Sequence, residues 1–541
     1  MSEGQVMKVM TPRTSDDAWL RACAGWTELL GPEQVLTDPD QRRAAQTATF
    51  ATDQRVPVIL RPATRAEVQG CLRVATACGV ALYPSSRGCN WGLGSRVPVE
   101  DRCGVLDLGR MNRIVDFCED MGTLTIEPGV TFEQVVEFLD QQGSRYFFNI
   151  TGSSPWSSPL ANALERGDGV GPYGDRVAHT CGLEVVLPDG RVVHTGMSRF
   201  DRAATATLHR WGVGPSLDGL FAQSNLGVVT RMTFWLKPRP GVLQIARFRV
   251  DDPAGLAPLI DAMRQLRLEG TLGAGAGIWN DFRAFSARGL FPWEHQTPPL
   301  TREDLGALMP EGGAWFGLTT LYSAHIKQAE GNAARLHEVL GPVTDTLAVA
   351  FQTQGSEEIR DLLLEGSPST LAPFGDVSTA FAMMSGRPSV ASQRSMYWRK
   401  RDATPGFQSP ERDRCGVIWA CPLIPLHGPQ VAEASRIVEQ LISAHGFEPL
   451  FSWVVQHERV AYFIILLIYD RDVEGDDARA MACHDAILDA CIARGWIPWR
   501  LGIHSMDALP EGRGDTDALV RELKQLLDPS GVLAPGRYIG G

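Results

Sequence analysis

The chain reads as an α+β protein built of more than one domain. Its 541 residues are too many for a single hydrophobic core. Up to about residue 238 it consists of short strand-turn units punctuated by glycine- and serine-rich loops, whereas beyond that point long helices alternate with strands. Between the halves, Pro238-Arg239-Pro240-Gly241 restricts the backbone and suits a linker.

In chain order, residues 56–80 predict a strand, a Pro-Ala-Thr turn and a helix, with Thr64 as its cap and Glu67 completing a capping box. Two strand-turn units follow, and an amphipathic helix opens after Thr131. Residues 182–196 predict a hairpin around Pro188-Asp189-Gly190, and a further strand ends near Pro238. In the second half, the longest apolar run, Ala461 to Tyr469, reads as a buried strand among helices. That pattern fits an antiparallel sheet carrying helices on one face. There is no internal repeat and no low-complexity tract.

Composition narrows the function. Hydrophobic residues make up 44% and charged residues 21%, as in a folded globular protein. A net charge of −12 argues against a nucleic-acid partner, which needs a basic face. No run reaches the roughly 20 apolar residues that span a bilayer. The polar amino-terminal stretch has no signal-like core, so a cytoplasmic location is expected. Eleven scattered cysteines without CxxC pairs suggest reduced thiols and no metal site.

Two loops point to a ligand. Ser85-Ser86-Arg87-Gly88-Cys89-Asn90-Trp91-Gly92-Leu93-Gly94-Ser95 has glycines that let backbone N–H groups surround an anion, with small hydroxyls as added donors. Its spacing is not that of a dinucleotide fingerprint. The second loop, Thr151 to Asn162, is rich in serine and precedes ALERGDGVGPYGDR. Together they suit a long ligand with phosphates in its middle; taken singly, each also reads as an ordinary surface loop.

Four stretches in order carry a resemblance to the vanillyl-alcohol oxidase and p-cresol methylhydroxylase family of FAD-linked oxidases. They are RPATRAEV with SSRGCNWGLG, then NALERGDGVGPYGDR, then GLEVVLPDGRVVHTG with DGLFAQSNLGVVTRMTFWL, and finally DPSGVLAPGRY. The resemblance implies an FAD-binding domain of two α+β lobes (1–240), an α+β cap domain over the flavin (241–499) and a C-terminal segment (500–541) returning to the FAD domain. By position, Ser86, Arg87, Gly88, Cys89, Asn90, Trp91 and Gly92 would hold the pyrophosphate. Ser153, Asn162 and Gly167 would lie along the flavin, and Val186 with the Asn225-Leu226-Gly227 turn would complete its wall. An O-tyrosyl link from Tyr462 to the flavin is one implied outcome, and a noncovalent flavin is the other. A homo-oligomer is also implied, with oxygen or an electron carrier as acceptor.

Arg500, in Trp496-Ile497-Pro498-Trp499-Arg500, matches the arginine that holds an anionic substrate in the family and is a fixed positive charge. The two tyrosines that flank a phenolate in phenol-oxidising members do not match: Trp499 and Leu93 stand there, and Ser153 stands where several relatives carry an acid. The expected substrate is therefore a larger, less polar molecule, aromatic or polycyclic, stacked on Trp499, from which hydride is taken at a C–H or alcohol carbon. Alternatives are oxidation of a hydroxy acid or sugar-like alcohol gripped by Arg500, para-alkylphenol oxidation at an altered site, and a flavin-binding scaffold without turnover. His504 would share the cavity with Arg500 if the segment were helical, and otherwise is structural. His457 is a further acid-base candidate, and Tyr173 either points its hydroxyl at the ligand or is a packed aromatic. Glu165 and Asp168 read as structural.

Overall fold

The computed structural model describes residues 15–310, 312–361, 377–401 and 409–540. The polar stretch through residue 14, on which the expectation about export rests, lies outside them. The described residues form a four-stranded, a five-stranded and a two-stranded sheet from the first half of the chain, the last pairing Tyr146–Phe147 with Lys237–Pro238, and one large sheet from the second.

The first lobe is a four-stranded sheet in the order Val35–Leu36, Ile59–Leu60, Gly104–Asp107, Leu82–Ser85. Its last three strands are parallel, which requires a crossover, and the helix Arg65–Cys78 supplies one. That helix buries Val68, Cys71, Leu72 and Ala75, spaced to form one face. Thr64 caps it by accepting from the Glu67 N–H. The Glu67 carboxylate, however, reaches back to the N–H of Ala63, one residue beyond the box expected from the sequence. The second lobe is antiparallel, ordered Ile114–Cys118, Thr123–Ile126, Val228–Trp235, Thr180–Val186, Val192–His194. The last two strands are the expected hairpin. The helix Phe132–Gln141 closes this lobe, opened by a complete capping box between Thr131 and Gln134.

From Val242 to Asp470 the strands form one nine-stranded antiparallel sheet. Helices Leu256–Leu268, Gly428–Ala444 and Asp476–Ile492 cover one of its faces. Phe451, Trp453 and Val455 from one strand, and Phe463, Ile465 and Leu467 from its neighbour, pack into them. Side chains of opposite parity on these strands point the other way, and they roof the cavity described below.

The chain end is tied into the first half. Residues 532–534 lie beside the strand Leu82–Ser85, with the Leu82 N–H donating to Val532 and the Ala534 N–H to Leu82, both at 2.8 Å. Beneath this contact the buried Lys524 ammonium donates to Asp528 Oδ2 (2.6 Å) and to the carbonyls of Asn225 (2.8 Å) and Leu533 (2.9 Å). Lys524→Met would leave the Asp528 carboxylate buried without its cation, a loss of about 3 kcal/mol. Urea denaturation should show a lower midpoint; an unchanged midpoint would mean that this contact does not anchor the C-terminal segment.

Candidate active site

A cavity of about 450 Å³ lies between the lobes and the large sheet. Its floor comes from the two predicted loops: residues 85–91 and Ser95 from the first, and Thr151–Ser153, Ser157, Ser158 and Asn162 from the second. Its roof is the face of the large sheet opposite those three helices, with Ser452 and Val454 from one strand, Gln456 just past its end, and Ile464 and Leu466 from the next. Trp419, Trp499 and Arg500 complete the seam.

The first loop divides its glycines between two tasks. Gly88, at φ 72°, turns the chain within the lining, and a Cβ there would strike the Arg96 guanidinium at 2.6 Å. Gly92, expected to touch the cofactor, does not line the cavity. It sits at φ 76° under the Trp419 ring, where a Cβ would meet the indole at 2.5 Å, so its missing side chain seats the roof on the floor. The second loop is held by Arg176, whose guanidinium donates to Asn162 Oδ1 (2.8 Å) and to the carbonyls of Asn149 (2.5 Å) and Ile150 (3.1 Å). Burial pushes Arg176 down to about 10, against the opposing pull of Asp168. Glu165 accepts from Arg537 Nη2 (2.6 Å) and from the Tyr538 hydroxyl (2.9 Å), joining this loop to the chain end. Two charged residues of ALERGDGVGPYGDR are thereby structural.

Asp168 is different. Its carboxyl faces the cavity with Oδ1 unpartnered, and burial raises it from the usual carboxylate range to about 7. The Gly169 N–H and the Arg176 and Arg500 guanidiniums pull the other way without restoring an ordinary value. A carboxyl that titrates near neutrality in a cleft is suited to proton transfer. The sequence reading assigned Asp168 to structure because nothing in the local string reveals that its neighbours' partners are already taken.

Arg500 donates from Nη2 to Asn90 Oδ1 (3.0 Å) and leaves Nε unpaired. Trp499 presents its ring to the cavity, with its carbonyl fixed by Gln223 (2.7 Å). Ser86, Arg87, Cys89, Asn90, Trp91, Ser153 and Asn162 also line the space.

Other expected site residues lie elsewhere. His504 is not on a helix with Arg500; it is buried against the Phe50 ring and His484, and burial keeps its imidazole well below its usual range. Tyr173 stacks on His179 at 3.8 Å, outside the lining. Val186 is buried in the core of the first lobe, and its strand partner Val228 reaches the cavity instead. Gly167 and Tyr462 line a second cavity, of about 490 Å³, that shares Leu164, Asp168 and Trp499 with the first. Tyr462 stacks on Trp499 at 4.3 Å, and its hydroxyl pairs with His457 Nε2 at 2.8 Å. Arg283, Trp419 and Gln456, all in the lining, carry no motif, whereas Arg537 lies in the DPSGVLAPGRY stretch, which by itself gives the residue no role.

The lining fits a long polar cofactor. Ser95 Oγ, Asp168 Oδ1, Arg500 Nε and Arg537 Nη1 are buried without a protein partner, and such atoms call for a polar ligand. Two small-residue loops on one side and a flat aromatic wall on the other define a dinucleotide-type flavoprotein. The comparisons agree. Residues 56–196 match the family described as FAD binding domain. The chain is 44% identical over 526 residues to the 1'-carboxy-chondrochloren decarboxylase of Chondromyces crocatus, covering 96% of this chain and 97% of that one. It is 27% identical over 521 residues to the flavoprotein subunit of 4-cresol dehydrogenase (hydroxylating) of Pseudomonas putida, covering 96% and 95%. The fold superposes on the structure of p-cresol methylhydroxylase with substrate bound at a TM-score of 0.87, with 24% identity and 98% of both chains covered. The chain belongs to the p-cresol methylhydroxylase-type family of FAD-linked oxidases and is an FAD-dependent enzyme acting on an organic small molecule, which sets aside the scaffold alternative.

Ser85–Trp91, Ser153, Ser157, Ser158, Asn162 and Arg537 line the cavity and would be the residues to hold FAD there. Among the described residues the lining contains no histidine, and its one tyrosine is Tyr83. Acid precipitation of the FAD-loaded protein should therefore leave the flavin in the supernatant, for Tyr462→Phe as for the parent. Flavin in the pellet that Tyr462→Phe releases would restore the covalent link.

Proposed function

We propose that the chain oxidises an organic acid with an aromatic or polycyclic body and releases its carboxyl group as CO2. The observation that carries this reading is Asp168, a carboxyl near neutrality, in one cavity with the cationic Arg500 and the flat Trp499. The decarboxylase relative supports it, since that protein acts on a carboxylated molecule by its name. Bound FAD would supply a two-electron hydride acceptor. In the proposed reaction the substrate's C–H pair departs as hydride, and the pair of the neighbouring C–CO2 bond becomes the second bond of an alkene. The negative charge of the carboxylate leaves with the hydride, and CO2 departs neutral. Oxygen or an electron carrier then takes up the two electrons.

The chain's own residues do the positioning. Trp499 gives the substrate a stacking wall, and Arg500 offers a fixed positive charge to negative charge at the reacting end. Asp168, ionised, accepts a proton from a substrate hydroxyl conjugated to the reacting carbon. Oxidation of a hydroxy acid without CO2 loss is the second reading, favoured by the same pairing of Arg500 and Asp168. Para-alkylphenol oxidation is served less well, because Trp499 has no hydroxyl and Leu93 is buried away from the lining. The division at residues 240 and 500, a homo-oligomeric state and a cytoplasmic setting belong to the same proposal. The setting is supported by eleven unpaired cysteines.

One CO2 should appear per flavin reduced when the enzyme meets its acid substrate without oxygen; reduction without CO2 would favour the hydroxy-acid reading. The rate of reduction should rise with pH through about 7, where Asp168 ionises. Asp168→Asn should remove that rise and slow reduction by on the order of 100-fold with FAD still bound. A parent-like profile in this variant would exclude Asp168 as the base.

A further inference from the structure

Three arginines in the lining have an oxygen partner within 3.3 Å. Arg87 Nε donates to the Trp156 carbonyl (3.3 Å), Arg500 to Asn90 and Arg537 to Glu165. Arg283 is the exception. It sits on the short helix Asp281–Ser286, beside the strands Ala276–Asn280 and Leu450–Val455, with its accessible surface opening into the cavity. Its contact with an oxygen is a long one, 3.4 Å from Nη1 to Ser286 Oγ, and its Nε is buried without a partner. Burial pushes its guanidinium down to about 10, and no carboxylate among the described residues acts against that shift. Asp168 is not its counter-ion, because Asp168 feels Arg176 and Arg500 instead.

A guanidinium largely withdrawn from water without a counter-ion is destabilising. The working enzyme must recover that cost from something that enters the cavity. The roof lining carries Trp279, Met396 and Leu466 beside the neutral Ser452 and Gln456, so Arg283 is its one charge among the described residues. A planar fork in such a place matches a carboxylate, which can accept two parallel N–H bonds.

We propose that Arg283 is the anion anchor of the cap and takes the substrate's carboxylate as its counter-ion. This rests on the reading of the chain as an oxidoreductase of organic acids, and it adds the residue that selects them. The anchor also gives the reaction a direction. While the carboxylate is held on the cation, the acid is preferred over any neutral analogue. Once CO2 has left, Arg283 has no partner on the product, and the product is released.

The test uses the FAD-loaded enzyme with 3-phenylpropanoate and the neutral 3-phenylpropanamide as probes, their binding read from the visible difference spectrum of the flavin. The parent should bind the carboxylate on the order of 30-fold more tightly than the amide. Arg283→Met should bind both equally and weakly, Arg283→Lys should keep part of the preference, and FAD content should not change. Arg283→Met should also melt at a higher temperature than the parent without ligand, since it removes an unpaired buried charge. Retention of the full carboxylate preference in Arg283→Met would overturn the proposal and move the anchor to Arg500. Absence of any preference in the parent would overturn it as well. Failure of the decarboxylation reading shows separately, as flavin reduction without CO2 while the preference at Arg283 persists.

Discussion

The site depends on the two-residue alternation of a pair of neighbouring strands in the large sheet. Along Leu450–Val455 and Val460–Asp470, one parity of side chains fills the space under the helices with Phe451, Trp453, Phe463 and Ile465. The other parity is left to face the two loops across the cleft. A slip of one residue in this register would bring the large aromatics into the cavity and expose the helix layer. The loops alone could hold an anion, but only the roof turns them into a closed, mostly apolar chamber in which a few charges act strongly.

Those charges are placed unevenly. Arg176 and Glu165 are consumed, the first in bracing the second loop and the second in joining it to the chain end. Asp168, Arg500, Arg537 and Arg283 keep unpartnered atoms at the cavity. Unmet hydrogen-bonding capacity is costly in a fold and persists where a ligand satisfies it. The first group explains why the segment from Glu165 to Arg176 is dense in charge, and the second marks where chemistry is expected.

Much of this was legible in the sequence, and what was missed has physical causes. Both loops, the hairpin around Pro188, the Thr131 cap and the Trp499-Arg500 pair are local patterns, and local patterns survive without coordinates. Asp168 reads as structural from the string, and its place in the lining with an unpartnered oxygen depends on which neighbours are already paired, a property of three dimensions. Tyr462 shares one strand face with Val460 and Ile464. That face, however, runs from the second cavity at Val460 and Tyr462 to the first at Ile464, and Trp499, which lines both, stacks on Tyr462. His504 hinged on whether residues 500–504 were helical, and they are not. Arg283 lies on a six-residue helix in a stretch without a motif, so only its missing partner identifies it.

The most direct test of this account is a crystal structure of the enzyme with FAD bound. The account predicts a single FAD whose phosphates lie along residues 85–91 and whose flavin ring meets the second loop on one side and the Trp499-Arg500 wall on the other. A flavin ring outside the cavity shared by Asp168 and Arg500, or one bonded to Tyr462, would contradict it.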